Sequence, residues 1–220
     1  LEAMVVAAAA RGYEYHSISD HSPSRGRIGV APERMREQRR LIEALRERHD
    51  VYTLCSSEVD ILPDGSLDYS NDVLAAFDIV VASVHAAFDQ TREEMTARLV
   101  RACENPYVNV IGHPTGRRLG EFDSYEFDYE AVFTAAARTG TALEIDGQTA
   151  RLDLSGTLAR HAATFGVTFA LDSDAHRAEN LENIELAIGQ ARRAGLTKEQ
   201  VLNAKPLPEL LEFVRRKRAG

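Results

Sequence analysis

The chain has 220 residues, 44% hydrophobic and 27% charged, with a net charge of −8. That size and balance suit one large globular domain with a sizeable core. The negative charge excludes a surface that grips nucleic acid by bulk electrostatics, yet it leaves chemistry on phosphates open, because carboxylates gathered around divalent cations make a protein acidic until its metals are counted.

An Ala-rich helix over 1–10 opens the chain, stopped by Gly12 as its C′ residue. A strand over 13–19 runs into Asp20 and His21, and Pro23, Gly26 and Gly29 make 22–30 a loop. Pro32, suited to a first turn, opens a helix to about residue 49. The second strand, 51–61, contains Glu58; Asp64-Gly65 marks a turn, and Asn71 is the expected N-cap of a short helix through 76. A third, almost wholly apolar strand at 78–84 ends at His85. Thr91 with Glu94 forms a capping-box pattern for a helix to 103. The fourth strand, 107–111, leads into Gly112, His113 and Pro114, then a loop with Arg117, Arg118 and Gly120. A helix over 129–139, a fifth strand over 142–145 before Asp146, a helix from Ser155 to 165 and a sixth strand over 167–171 follow. Past Asp174 and His176 lie a helix at about 181–194, a short one from 198 and a last one at 208–217.

Strands alternating with helices, several apolar on both faces, imply a parallel sheet covered by helices. The opening helix calls for a strand before it, so seven βα units are implied, in a closed or nearly closed β/α barrel. No Gly-x-Gly-x-x-Gly follows the first strand, which argues against an open dinucleotide-binding sheet. No apolar run approaches the ~20 residues that span a bilayer, and no signal-peptide pattern is present. Cys55 and Cys103 form no C-x-x-C pair and read as reduced thiols, as expected in the cytoplasm.

In β/α barrels chemistry sits at the C-terminal ends of the strands. His21, Glu58, His85, His113, Asp174 and His176 fall there, and the steps from His21 to Asp174 are 37, 27, 28 and 61 residues. One βα unit is roughly 30 residues, so each step is one unit and the last is two, which returns every side chain to one rim. A single histidine after a strand is commonly a turn or core residue. Four imidazoles and two carboxylates facing one cavity are costly without a cation. Mixed nitrogen and oxygen ligands suit Zn2+ or Mn2+, and six are too many for one tetrahedral zinc. Arg25, Arg27, Arg117 and Arg118 sit in loops at this rim and are candidates for substrate phosphate; Asp146 is a candidate supporting group. His49 and His161 read as helix residues, and His16 as a strand residue.

The stretches ISDHS (18–22), SEVDI (57–61), ASVH (82–85), GHPTGR (112–117), LEIDG (143–147) and DSDAH (172–176) cover nearly the whole chain. They resemble the PHP (polymerase and histidinol phosphatase) domain, most closely the one at the C-terminus of bacterial family X DNA polymerases. RLDL (151–154) and the basic last helix resemble that version too. The resemblance implies a single PHP phosphoesterase domain over 1–220 with polymerase domains upstream, in a distorted seven-stranded barrel whose first strand is missing from this chain. It implies two to three metal ions, Mn2+ or Zn2+, held by the six residues above, with Glu58 bridging two of them. The family's opening His-x-His and nearby Asp would fall upstream of Leu1. The expected activity is 3′-5′ exonuclease action on DNA ends in repair, by metal-activated water with no protein nucleophile and no membrane partner. The alternatives are a histidinol-phosphatase-type phosphomonoesterase and a non-catalytic domain bracing a polymerase.

Overall fold

A computed structural model of the chain describes residues 1–219. Six strands form one parallel sheet in chain order: β1 (Tyr15–His21), β2 (Tyr52–Asp60), β3 (Ile79–Ser83), β4 (Val110–Ile111), β5 (Ala142–Asp146) and β6 (Phe169–Asp172). The order never reverses, so the crossovers wrap one side and the sheet curls into a half-barrel, as parallel right-handed crossovers require. The helices are α1 (Glu2–Ala10), α2 (Pro32–Arg46), α3 (Asn71–Leu74), α4 (Arg92–Glu104), α5 (Tyr129–Thr139), α6 (Gly156–Ala163), α7 (Ile184–Ala194) and α8 (Leu207–Ala219). The sheet has six strands among the described residues where the sequence reading expects seven, and β1 and β6 are its two edges.

Period-two alternation assigns the two faces. Cys55, Val59, Val80, Ala82, Leu143 and Ile145 face the helices in the main core, with Ile42, Leu99 and Phe133 among their partners. Leu54, Ile79, Val110 and Ala142, all early in their strands, face inward and are covered by Leu202, Leu210 and Val214. Each inward row therefore begins apolar and ends polar: along β2 it reads Leu54, Ser56, Glu58, Asp60. The apolar end closes the barrel floor under α8, and the polar end makes the rim.

Local signals set most boundaries. Thr91 and Glu94 make the reciprocal capping box that starts α4, Asp128 and Ser155 cap α5 and α6 through their side chains, and Gly140 ends α5 at φ 65°. Three expectations are corrected. The fourth strand is two residues long because the Asn105 side chain accepts the Tyr107 N–H, and Val108 N–H bonds back to the Asn105 carbonyl, which keeps 105–108 in a turn. The N-cap of α3 is Ser70, since Asn71 spends its side-chain oxygen on the Asn105 amide. A 3-10 turn, Ala178–Asn183, replaces the first turn of the expected helix at 181.

Candidate metal centre

Parallel register brings the rim together. His21 lies directly opposite Glu58, and its Nδ1 is 3.1 Å from Glu58 Oε2. His113 Nε2 and His85 Nε2 approach the other oxygen, Oε1, at 2.9 and 3.2 Å. The rings themselves are neighbours, with His21–His85 centroids 5.2 Å and His85–His113 centroids 5.0 Å apart. Among the described residues, His21, Glu58 and His85 offer ligand atoms that all lie within 4.8 Å of one another.

Asp60, two residues beyond Glu58 on the same inward row, fixes the tautomer of His85. Its Oδ1 is 2.6 Å from His85 Nδ1, so that nitrogen carries the hydrogen and Nε2 turns a lone pair toward Glu58. Two acceptors 3.2 Å apart need a proton or a cation between them. Burial opposes a charge on His85, but the hydrogen bonds to Asp60 and Glu58 outweigh it and raise the imidazole to about 8. Burial likewise opposes the Glu58 carboxylate, and the His113 and His85 hydrogen bonds reverse that and hold it well below the usual carboxylate range. Burial pushes His21 down, against the pull of Glu58. A carboxylate–imidazole relay feeding a shared carboxylate is the arrangement metal-ligating histidines adopt, and these donors fit Zn2+ or Mn2+.

His113 reaches the cluster through a constrained turn. Its φ is 26°, and the preceding Gly112 has no room for a side chain: a Cβ there meets Ser83 Oγ at 2.3 Å and Val81 Cγ1 at 2.9 Å. The His113 N–H donates to the buried Glu144 carboxylate, and the Thr115 N–H donates to buried Asp153 at 2.9 Å.

Asp174 stands on the β6 side. Its φ is 42°, its Oδ2 accepts the Gln148 amide at 2.7 Å, and the Arg151 Nε lies 3.9 Å away. Burial raises its carboxyl, followed by the charge of Glu58. His176 is not brought into contact with the cluster: its side chain is 62% exposed and its Nδ1 faces the Asp174 carbonyl at 2.8 Å. Beside Asp174 lie Glu144, Asp146 and Asp172, whose carboxyls are all raised, first by burial and next by the charge of Asp172 (Glu144, Asp146) or by proximity to Asp174 (Asp172). Asp146 reaches about 9 and Asp172 about 6.

The four loop arginines diverge. Arg25 is half-buried with an unpartnered Nε, and its charge reaches both His21 and Asp60. Arg27 is exposed. Arg117 donates to the carbonyls of Arg151 and Leu152, clasping two loops together. Arg118 pairs with Glu121 at 3.1 Å. Sequence reasoning passed over Asp60, Glu144, Asp172 and Arg151. The three carboxylates had a signal, since Glu58/Asp60, Glu144/Asp146 and Asp172/Asp174 are pairs spaced by two at strand ends, the spacing that points both members inward. A cavity of about 730 Å³ opens onto the rim past Glu58, His113 and Asp174 and runs down to Tyr15, His16 and Lys205. His16 is half-buried in this wall, and desolvation lowers it to about 4. His161 is exposed on α6, with its ring edge-on to Phe133 and Phe165, and no helix is long and apolar enough to cross a membrane among the described residues.

No model of a known protein family matches the chain. It is 38% identical over 97% of its length to the DNA polymerase/3′-5′ exonuclease PolX of Bacillus subtilis, of which it spans 38%. It is 31% identical over 72% of its length to a probable phosphatase of Syntrophotalea carbinolica, covering 67% of that protein. Its fold matches histidinol phosphate phosphatase of Lactococcus lactis, solved with zinc, L-histidinol and phosphate, at a TM-score of 0.59 and 19% identity over 89% of this chain and 87% of that one. With its six-stranded parallel half-barrel, its His/Glu/His rim and these relatives, the chain belongs to the PHP-type phosphatase family of phosphoesterases.

Proposed function

We propose that the chain is a metal-dependent phosphodiesterase domain that trims the 3′ ends of DNA, acting in DNA repair in the cytoplasm beside polymerase domains of the same polypeptide. The observation that carries the reading is Glu58, a carboxylate only 13% exposed with three imidazole nitrogens within 3.2 Å of its two oxygens. Identity of 38% to a polymerase/exonuclease across nearly the whole chain supports DNA as the substrate. His21, Glu58, His85, His113, Asp174 and His176 are the proposed ligands of two or three ions of Mn2+ or Zn2+.

Bound metal supplies hydroxide at neutral pH and polarises the phosphoryl group. The chain's own residues do the rest. Asp60 holds His85 as the Nδ1–H tautomer, Glu144 anchors the His113 turn, and Gln148 with Arg151 aims the Asp174 carboxylate. Arg25, whose charge acts on His21 and Asp60, is the candidate for a phosphate oxygen. Arg27, Arg117 and Arg118 are farther candidates for the same task, and the bonds of Arg117 to two carbonyls favour a bracing role for it.

The test is 3′-end release from a labelled oligonucleotide with added Mn2+ or Zn2+, with His113→Ala and Asp174→Ala as controls. Metal-dependent release that both substitutions abolish supports the reading; release that survives them sinks it. A second reading, a phosphomonoesterase of the histidinol-phosphatase type, is favoured by the share of relatives covered: 67% of the Syntrophotalea phosphatase against 38% of the polymerase. Turnover of a small phosphomonoester with none of the oligonucleotide would establish it. Absence of both turnover and metal binding would leave a bracing domain.

A further inference from the structure

Of the chain's eight phenylalanines, only Phe88 and Phe122 are exposed, at 40% and 46%, and both stand on the rim that carries the histidines. Phe88 comes three residues after His85, a reach of at most ~10 Å along the backbone. The two rings meet at 5.9 Å, and Phe88 stacks on Tyr125 at 6.1 Å with 22° between the planes. Tyr125 is buried, and its hydroxyl donates to the carbonyl of Pro114 at 2.8 Å, the residue after His113. The ring pair is thus tied to two of the three imidazoles around Glu58.

The backbone under both rings is fixed. Ala87 is held at φ 53°, and Arg98, 2% exposed, donates to the Ala86 carbonyl at 3.0 Å and to Gln90 Oε1 at 2.9 Å. Phe122 sits on a tight hairpin closed by the Arg118–Phe122 bridge, and Leu119 N–H bonds to the Ala150 carbonyl at 2.7 Å. Behind Tyr125 the rings continue inward through Phe127, Tyr129 and Phe133 at 5.8, 4.5 and 6.0 Å. Rings so backed cannot fold inward to escape water, which makes their exposure a standing cost. Exposed apolar surface beside a polar site marks a binding surface.

Resting on the phosphoesterase reading above, we infer that Phe88 and Phe122 form a stacking platform for the nucleobase of the terminal nucleotide, whose phosphate lies at the histidine cluster. Every base has a π-face, so aromatic platforms hold nucleic-acid ends without sequence preference. The charges divide the ligand in the same way. Asp89 and Asp123 are exposed beside the rings and Arg118 of the same hairpin is paired with Glu121 at 3.1 Å, so the ring end is net negative and repels a phosphate, while Arg25 supplies a cation at the histidine end. A planar, uncharged ring is the part of a nucleotide that suits the platform.

The experiment compares binding of two oligonucleotides with phosphorothioate terminal linkages, one ending in 2-aminopurine and one in an abasic residue. The platform predicts quenching of 2-aminopurine emission by the chain and about tenfold tighter binding of the base-bearing end. In the Phe88→Leu/Phe122→Leu variant, which keeps apolar bulk without the π-face, quenching and the preference are lost; circular dichroism checks its fold, and each single Leu variant serves if the double one is misfolded. A wild-type chain that binds both ends equally overturns the proposal. So does a base preference that survives the substitutions, which would assign the rings to a protein contact. Quenching by a chain that hydrolyses no phosphoester would leave the platform standing and remove the enzymatic reading.

Discussion

The two halves of the rim handle charge in opposite ways. On β1 to β4 both inward-facing carboxylates have imidazole partners: Glu58 has three and Asp60 has His85. On β5 and β6 the carboxylates of Glu144, Asp146, Asp172 and Asp174 crowd one another, and their cationic neighbour Arg151 stands off at 3.8 Å from Asp146 and 3.9 Å from Asp174. The first half is neutralised from within by sharing protons. The second is neutralised only by taking protons up or by accepting a cation. The carboxylates of the first half share imidazole nitrogens that a metal ion can take over, whereas those of the second have only protons or an added cation to relieve their repulsion.

The substitution with the largest expected effect attacks the self-neutralised half. Glu58→Gln removes the shared acceptor of three imidazoles, and metal-dependent phosphoester hydrolysis should fall by more than about 100-fold, beyond the loss typical of outer partners; steady-state kinetics at saturating metal checks it. Next comes Asp60→Asn, which no longer enforces the Nδ1–H tautomer of His85. Metal affinity, read by isothermal titration calorimetry, should drop by about 10–100-fold, and an unchanged affinity would show that the Asp60 relay is idle.

The acidic half is tested by pH. Burial, then the charges of Asp172 and Asp174, pushes the Asp146 carboxyl up from 3.8 to about 9, so the native state binds more protons than the unfolded state between those limits. Its stabilising contribution is full below about 4 and is lost as pH rises through 9. The Tm of the metal-free chain should fall between pH 5 and 9, and Asp146→Asn should flatten that fall. A slope identical in the variant would remove Asp146 as its source. The smallest effect is a control far from either half: Thr91→Ala breaks the capping box of α4, costs about 1 kcal/mol and lowers Tm by about 2–4 °C with hydrolysis unchanged.

The self-neutralised half was legible in the sequence and the acidic half was not. His21, Glu58, His85 and His113 each end a strand roughly one βα unit apart, so spacing alone brought them to one rim. Asp174 was found by the same logic, but the charge that raises its carboxyl after burial comes from Glu58 on β2, and the curl of the sheet sets that approach. Asp60 looked like an ordinary strand-end acid until the register put His85 beside it. Arg117 read as a phosphate ligand because loop arginines expose no sign of the carbonyls they will meet; those carbonyls belong to residues 34 and 35 positions away. The fourth strand was expected to start three residues too early for a similar reason, since an apolar run hides the Asn105 turn before Val110.

The floor of the barrel joins the ends of the chain. Tyr15 donates to the Lys205 carbonyl across 190 residues, and buried Lys217 donates to the Cys103 carbonyl across 114. The strands, in contrast, pair only with their neighbours in sequence. Leu210 and Val214 of α8 lie over Leu54, Ile79, Val110 and Ala142, so this one helix works as a bung: without it the apolar ends of four strands would stand open to water.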